Sequence, residues 1–129
     1  IKPTGYQRAT RVPPADAVVG ICGHGYKGAD LFLGLAARRP EQPFLLAGHI
    51  VEPWRRRAAA LTNVTVVPHG HARTFLRRAR VVVVPSQWPE PFGRIAVEAM
   101  LAGVPVIASR TGGLPEACGD AAWLVQRFR

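Results

Sequence analysis

The chain has 129 residues, 48% of them hydrophobic, and carries a formal net charge of +9. That length predicts one domain around one core, of ordinary globular composition. No apolar run nears the ~20 residues that span a bilayer, and the opening IKPTGYQRATRVPPAD lacks the apolar stretch of a secretory signal.

Residues 1–16, with their Pro13–Pro14 pair, read as an interdomain linker or remnant ahead of a domain over 17–129. AVVGIC, from Ala17 to Cys22, predicts a short apolar strand. Helical spacing of Leu31, Leu33, Leu35 and Ala36 predicts a helix over 28–38. Phe44 to Ala47 predicts a second strand, closed by Gly48. A helix is expected over 52–61, with Pro53 near its start, where proline is tolerated. A third strand is expected at Val64 to Val67, a helix over 72–78, and a fourth strand over 81–84. The next helix is expected over 92–101, ended by Gly103. A fifth strand over 104–108, a short helix over 115–118 and a last strand over 122–125 complete the chain.

Alternating strands and helices, with apolar rather than alternating strands, predict a parallel sheet of about six strands covered on both faces. This is a three-layer, Rossmann-like α/β architecture. Right-handed crossovers put every strand-to-helix loop at one edge of the sheet, where such folds bind ligands. The loops 22–28, 85–93 and 109–115 are therefore expected to converge.

The first loop reads GHGYKG, from Gly23 to Gly28, and matches the dinucleotide fingerprint G-x-G-x-x-G. The fingerprint also needs an acid at the end of the second strand to hold a ribose. That strand ends in Ala47, Gly48, His49, so an NAD site is not expected. What remains is a phosphate-facing turn with Lys27 as its cation. A lysine at a helix start is disfavoured by the dipole, which argues for a ligand there.

The second loop carries two carboxylates, Glu90 and Glu98, with Pro91, Phe92, Gly93 and Arg94 between them. A helix starting near Pro91 or Phe92 leaves the amides of Phe92, Gly93 and Arg94 open to a phosphate. Glu98 is placed to accept hydrogen bonds from paired ribose hydroxyls. The plainer alternatives are an exposed pair between Glu98 and Arg94, and a helix-capping role for Glu90. In the third loop, Gly112 and Gly113 offer backbone to a sugar or phosphate; an ordinary turn is the alternative.

The charge is concentrated in arginine, at Arg55, Arg56, Arg57 and at Arg73, Arg77, Arg78, Arg80. Solvated helix faces account for it, because Lys2 and Lys27 are the only lysines. Peripheral contact with an anionic membrane stays open. No aromatic residues interleave with the clusters, so specific nucleic-acid binding is not expected. Two cysteines, Cys22 and Cys118, do not make a disulfide scaffold and predict a reduced cytoplasmic setting, with the inner membrane face as the one anionic surface in reach.

Over PSQWPEPFGRIAVEAMLAGVPVIASRTGGLPE the sequence resembles the retaining glycosyltransferases of family 4, specifically the C-terminal, donor-binding half of their GT-B fold. Glu90 and Glu98 stand at that family's E-x7-E spacing, and the resemblance runs from about Val18 to Val125. It implies hexosyl transfer from a nucleoside-diphosphate sugar to an unknown acceptor. It assigns Glu98 to the nucleotide ribose, Glu90 to the transferred sugar as the candidate catalytic residue, and Lys27 to the diphosphate.

The chain departs from the family at Cys22, where an arginine on the diphosphate is usual, and at PHGHARTFLRRAR, where the base is met. Arg94 or His24 are the candidate substitutes. The acceptor-binding N-terminal domain is absent, so these residues alone are expected to bind donor without turnover. No cofactor is implied, and no Asp/His cluster with metal spacing appears. A glycogen synthase, a sugar-nucleotide epimerase, or a non-catalytic basic module for membrane or nucleic acid are the alternatives.

Overall fold

Residues 15–67 and 72–126 are described by a computed structural model of the chain. Six strands alternate with five helices: β1 Ala17–Gly20, α1 Ala29–Arg38, β2 Phe44–Ala47, α2 Trp54–Ala59, β3 Val64–Val67, α3 Ala72–Leu76, β4 Ala79–Val84, α4 Arg94–Leu101, β5 Val106–Ser109, α5 Leu114–Cys118 and β6 Trp123–Val125. All strand pairs are parallel, in the order β3-β2-β1-β4-β5-β6. The order grows outward from β1 in one direction and from β4 in the other. The switch point is therefore the β1–β4 seam, where doubly wound sheets open a crevice at their carboxyl ends.

The pleat explains the three layers. In β2, Leu45 and Ala47 face one cluster while Phe44 and Leu46 face the other. On the first face Val19, Val82, Val84, Val106 and Ala108 pack against Phe75 and Leu76 of α3, Ala96 and Ala99 of α4, and Leu114 and Cys118 of α5. On the second face α1 and α2 bring Phe32, Leu33, Ala36 and Ala58. Phe32 is fully buried and meets Phe44 edge to face at 5.4 Å between centroids. Burying such a side chain contributes about 2–3 kcal/mol, so this pair is a main tie between α1 and the sheet.

Several boundaries differ from those expected, for identifiable reasons. β4 begins two residues early, because Ala79 pairs with Ala17 before the register shifts at Val18. β5 begins late, at Val106, after the exposed Pro105. β3 is an edge strand, so Thr65 and Val66 are exposed rather than covered on both faces. Helix α4 starts at Arg94 because Gly93 precedes it with φ 76°, outside the helical region. Of the expected linker only residues 15 and 16 are described, and both are exposed and irregular. Most of the segment expected to meet a base, and the side chain of Arg73, lie outside the described residues.

Candidate functional site

Two strand-to-helix junctions face each other across the β1–β4 seam. The first leaves β1, makes a single 3-10 turn over Gly25–Lys27, and enters α1 through Gly28 at φ 93°. The Gly23 carbonyl accepts a bond from the Val51 amide at 3.0 Å, which anchors the turn to the chain after β2. The second junction leaves β4 through Pro85 and Ser86, both buried, and reaches α4 at Gly93. The Gln87 amide donates to the Tyr26 carbonyl at 2.8 Å and ties the two junctions directly.

Between them lies a crevice of about 390 Å3, lined by Lys27, Ser86, Glu90, Gly93, Arg94 and Glu98 over an apolar floor that includes Ile21, Val84 and Ile95. Lys27 Nζ stands 3.6 Å from Glu90 Oε2, with both side chains partly shielded. That separation is an ion pair without a short hydrogen bond, so the ammonium keeps donor capacity. Glu90 Oε1 accepts from Ser86 Oγ at 2.8 Å and from Trp88 Nε1 at 3.1 Å. Glu90 is thus bound within its own loop and does not cap α4, whose N-cap has no side-chain bond.

At the start of α4 the amides of Ala96 and Val97 both turn to the Gly93 carbonyl, at 3.1 and 3.2 Å. Those of Phe92, Gly93, Arg94 and Ile95 have no acceptor among the described residues. Orphan amides and the helix dipole together favour an anion at this end. The expected set of open amides is therefore present, extended by Ile95. Glu98, one turn further, is half-buried along the crevice, and no ion pair with Arg94 forms among the described residues. Phe92 is 62% exposed and lies outside the lining.

The third loop contributes differently from what its glycines suggest. The Gly113 amide donates to the Glu90 carbonyl. A side chain at Gly112 would run into the backbone of Pro89 and Glu90, and one at Gly113 into the Pro91 carbonyl. These glycines let the third loop lie flat against the second, and neither lines the crevice.

Cys22 occupies the position at which the resemblance puts a cation, yet its side chain is buried in the cluster under α1. Burial pushes its thiol well above the usual range, and the charge of Lys27 works weakly against that. Cys118 is raised by burial as well, and both thiols are free. Cys22 is therefore a packing residue. His24 stays beside the crevice, 5.2 Å from the Tyr26 ring and 6.0 Å from that of His49. No three His, Cys, Asp or Glu side chains gather as a metal site among the described residues, and no described helix is long and apolar enough to cross a membrane.

Sequence reasoning missed Ser86, Trp88 and Tyr26. The serine and the tryptophan stand four and two residues before Glu90, the spacing that puts side chains on one side of an extended loop. Tyr26 meets Trp88 edge to face at 5.2 Å, which no sequence signal announces.

Comparison with known proteins follows the same geometry. A D-inositol 3-phosphate glycosyltransferase of Mycobacterium bovis is 36% identical over 90% of this chain and 28% of its own length. An uncharacterized 42.6 kDa protein in the cps region of Klebsiella pneumoniae is 34% identical over 70% of this chain and 25% of its own. The chain thus spans about a quarter of the curated relatives it matches. Anabaena HepE, crystallised with UDP and glucose, superposes with a TM-score of 0.76 at 24% identity, over 100% of this chain and 40% of that one. The UDP-GlcNAc 2-epimerase of Neisseria meningitidis bound to UDP-GlcNAc gives 0.62 at 22% identity, over 92% of this chain and 34% of that one. At such identities these two establish the fold alone, a Rossmann-like α/β unit shared with GT-B glycosyltransferases. A family model, glycosyl transferases group 1, matches residues 16–128. The chain belongs to the group 1 glycosyltransferases.

Proposed function

We propose that this chain is the donor-binding, C-terminal half of a retaining, family 4 GT-B enzyme that transfers a hexosyl group from a nucleoside-diphosphate sugar. The observation that carries the reading is the crevice at the switch point. One cation, four orphan amides and two carboxylates from opposite sides of the β1–β4 seam meet there. A ligand that is half anion and half polyol fits that division of charge. The relatives that bind UDP and UDP-sugars on the same fold add to it.

In this reading Lys27 and the amides around Gly93 and Arg94 hold the diphosphate and stabilise it as it departs, without calling on a metal. Glu98 accepts the ribose hydroxyls. Glu90 meets the transferred sugar. The acceptor attacks the face from which the diphosphate leaves, and a phosphate oxygen takes its proton. Gly112 and Gly113 act by seating the Glu90 loop. The acceptor and its binding domain belong to the remainder of a longer protein working in the cytoplasm.

Titration of the chain with UDP, GDP, ADP and NAD, alongside Glu98→Ala, tests the reading. Saturable binding of one nucleoside diphosphate is expected, weakened at least tenfold in the variant, with NAD silent. Binding that ignores Glu98→Ala and collapses with salt would instead mark a basic docking module.

A further inference from the structure

Two neutral donors converge on one oxygen of Glu90. Ser86 Oγ lies 2.8 Å from Oε1 and Trp88 Nε1 lies 3.1 Å from the same atom. Oε2 is left facing Lys27. A carboxylate held by one donor swivels about its last bond; two donors on the same oxygen decide which oxygen is turned into the crevice. Trp88 does more than donate. Its ring lies 5.9 Å from Lys27 Nζ and meets Tyr26 edge to face at 5.2 Å. One half-buried indole therefore touches both the anion and the cation of the crevice, while standing outside its lining.

We propose that Trp88 is a positioning residue: its indole N–H, together with the Ser86 hydroxyl, holds Glu90 so that Oε2 is presented to the sugar part of the donor. The inference rests on the donor-site reading above and extends it to a residue that never touches the ligand. It predicts a division of labour. The diphosphate is gripped by Lys27 and the start of α4, so losing the indole N–H leaves nucleoside diphosphate binding alone. The sugar is met by Glu90, so the same loss weakens binding of the sugar ester.

Trp88→Phe keeps a ring for Lys27 and Tyr26 and removes only the donor. UDP and UDP-glucose are titrated against parent, Trp88→Phe and the double variant Ser86→Ala/Trp88→Phe; if GDP or ADP is the base selected, that nucleotide and its glucose ester replace them. The single variant is expected to bind UDP-glucose about fivefold less tightly and UDP within about twofold, and the double variant to lose more than the two single losses combined. A parallel fall for both ligands would mean that Trp88 is a packing residue only, and no fall for either would mean that its N–H orders nothing. Each result overturns the proposal.

A ligand-free measurement separates this from the donor-site reading. The chain has three tryptophans, so three indole N–H resonances, and the one missing in Trp88→Phe belongs to Trp88. It is expected to shift and exchange faster in Glu90→Ala. An unmoved resonance overturns the proposal whatever the ligand does. A parent chain that binds neither probe, with the resonance shifted as expected, overturns the donor-site reading and leaves the indole–carboxylate bond standing.

Discussion

The two junctions that flank the crevice look like variants of one design, and their glycines show how differently they work. Both pass from a strand into a helix through a glycine at positive φ, Gly28 at 93° and Gly93 at 76°. Gly28 closes a dinucleotide-like fingerprint, yet a side chain there would strike the carbonyl and ring of Pro85, on the opposite junction. Gly93 sits in the crevice lining, and a side chain there would meet the flexible end of Leu114. The fingerprint glycine is thus a point of contact between loops, and the glycine outside any fingerprint is the one facing the open space. A glycine in a loop reports that something comes close. It does not report whether that something is ligand or protein.

The sharpest way to break the comparison is Gly28→Ala. The left-handed backbone and the clash with a carbonyl that cannot swing away are expected to cost about 3 kcal/mol or more, read as a large fall in the denaturation midpoint. Gly93→Ala is expected to cost about 2 kcal/mol, because the backbone penalty remains but the Leu114 side chain has room to rotate. If the two variants lost equal stability, the distinction drawn between the junctions would fail.

Lys27→Met sharpens the same contrast from the side of charge. Its ion pair with Glu90 is a third exposed, so stability should move by less than ~0.5 kcal/mol, while nucleoside diphosphate affinity falls about tenfold by calorimetry. At the bottom of the scale, Gly34→Ala adds a side chain into open space within α1. It should raise stability by about 0.5–1 kcal/mol and leave binding untouched, as a control glycine with no contact to make.

Much of the architecture was legible because it is written in local pattern. β2 and β3 lie where their apolar runs end, and the parallel, doubly wound sheet follows from the strand–helix alternation. The convergence of Lys27, Glu90 and Glu98 was legible too, because crossover handedness puts their loops at one edge. What the sequence hid were relations between loops. Nothing local tells that Gly113 spends its amide on the Glu90 carbonyl, or that Cys22 turns inward under Phe32. The bond from Trp88 to Glu90 depends on the rotamer of an indole in an irregular segment, which no periodicity encodes.

The order of the strands has one more consequence. Everything before α3 supplies the crevice with its lysine alone, and everything after α3 supplies both of its carboxylates. Neither stretch can be inherited, exchanged or folded by itself and still bring opposite charges together. Only a chain whose first strand has found its fourth has them face to face, so occupancy of the crevice reports that the least local pairing in the sheet has been made.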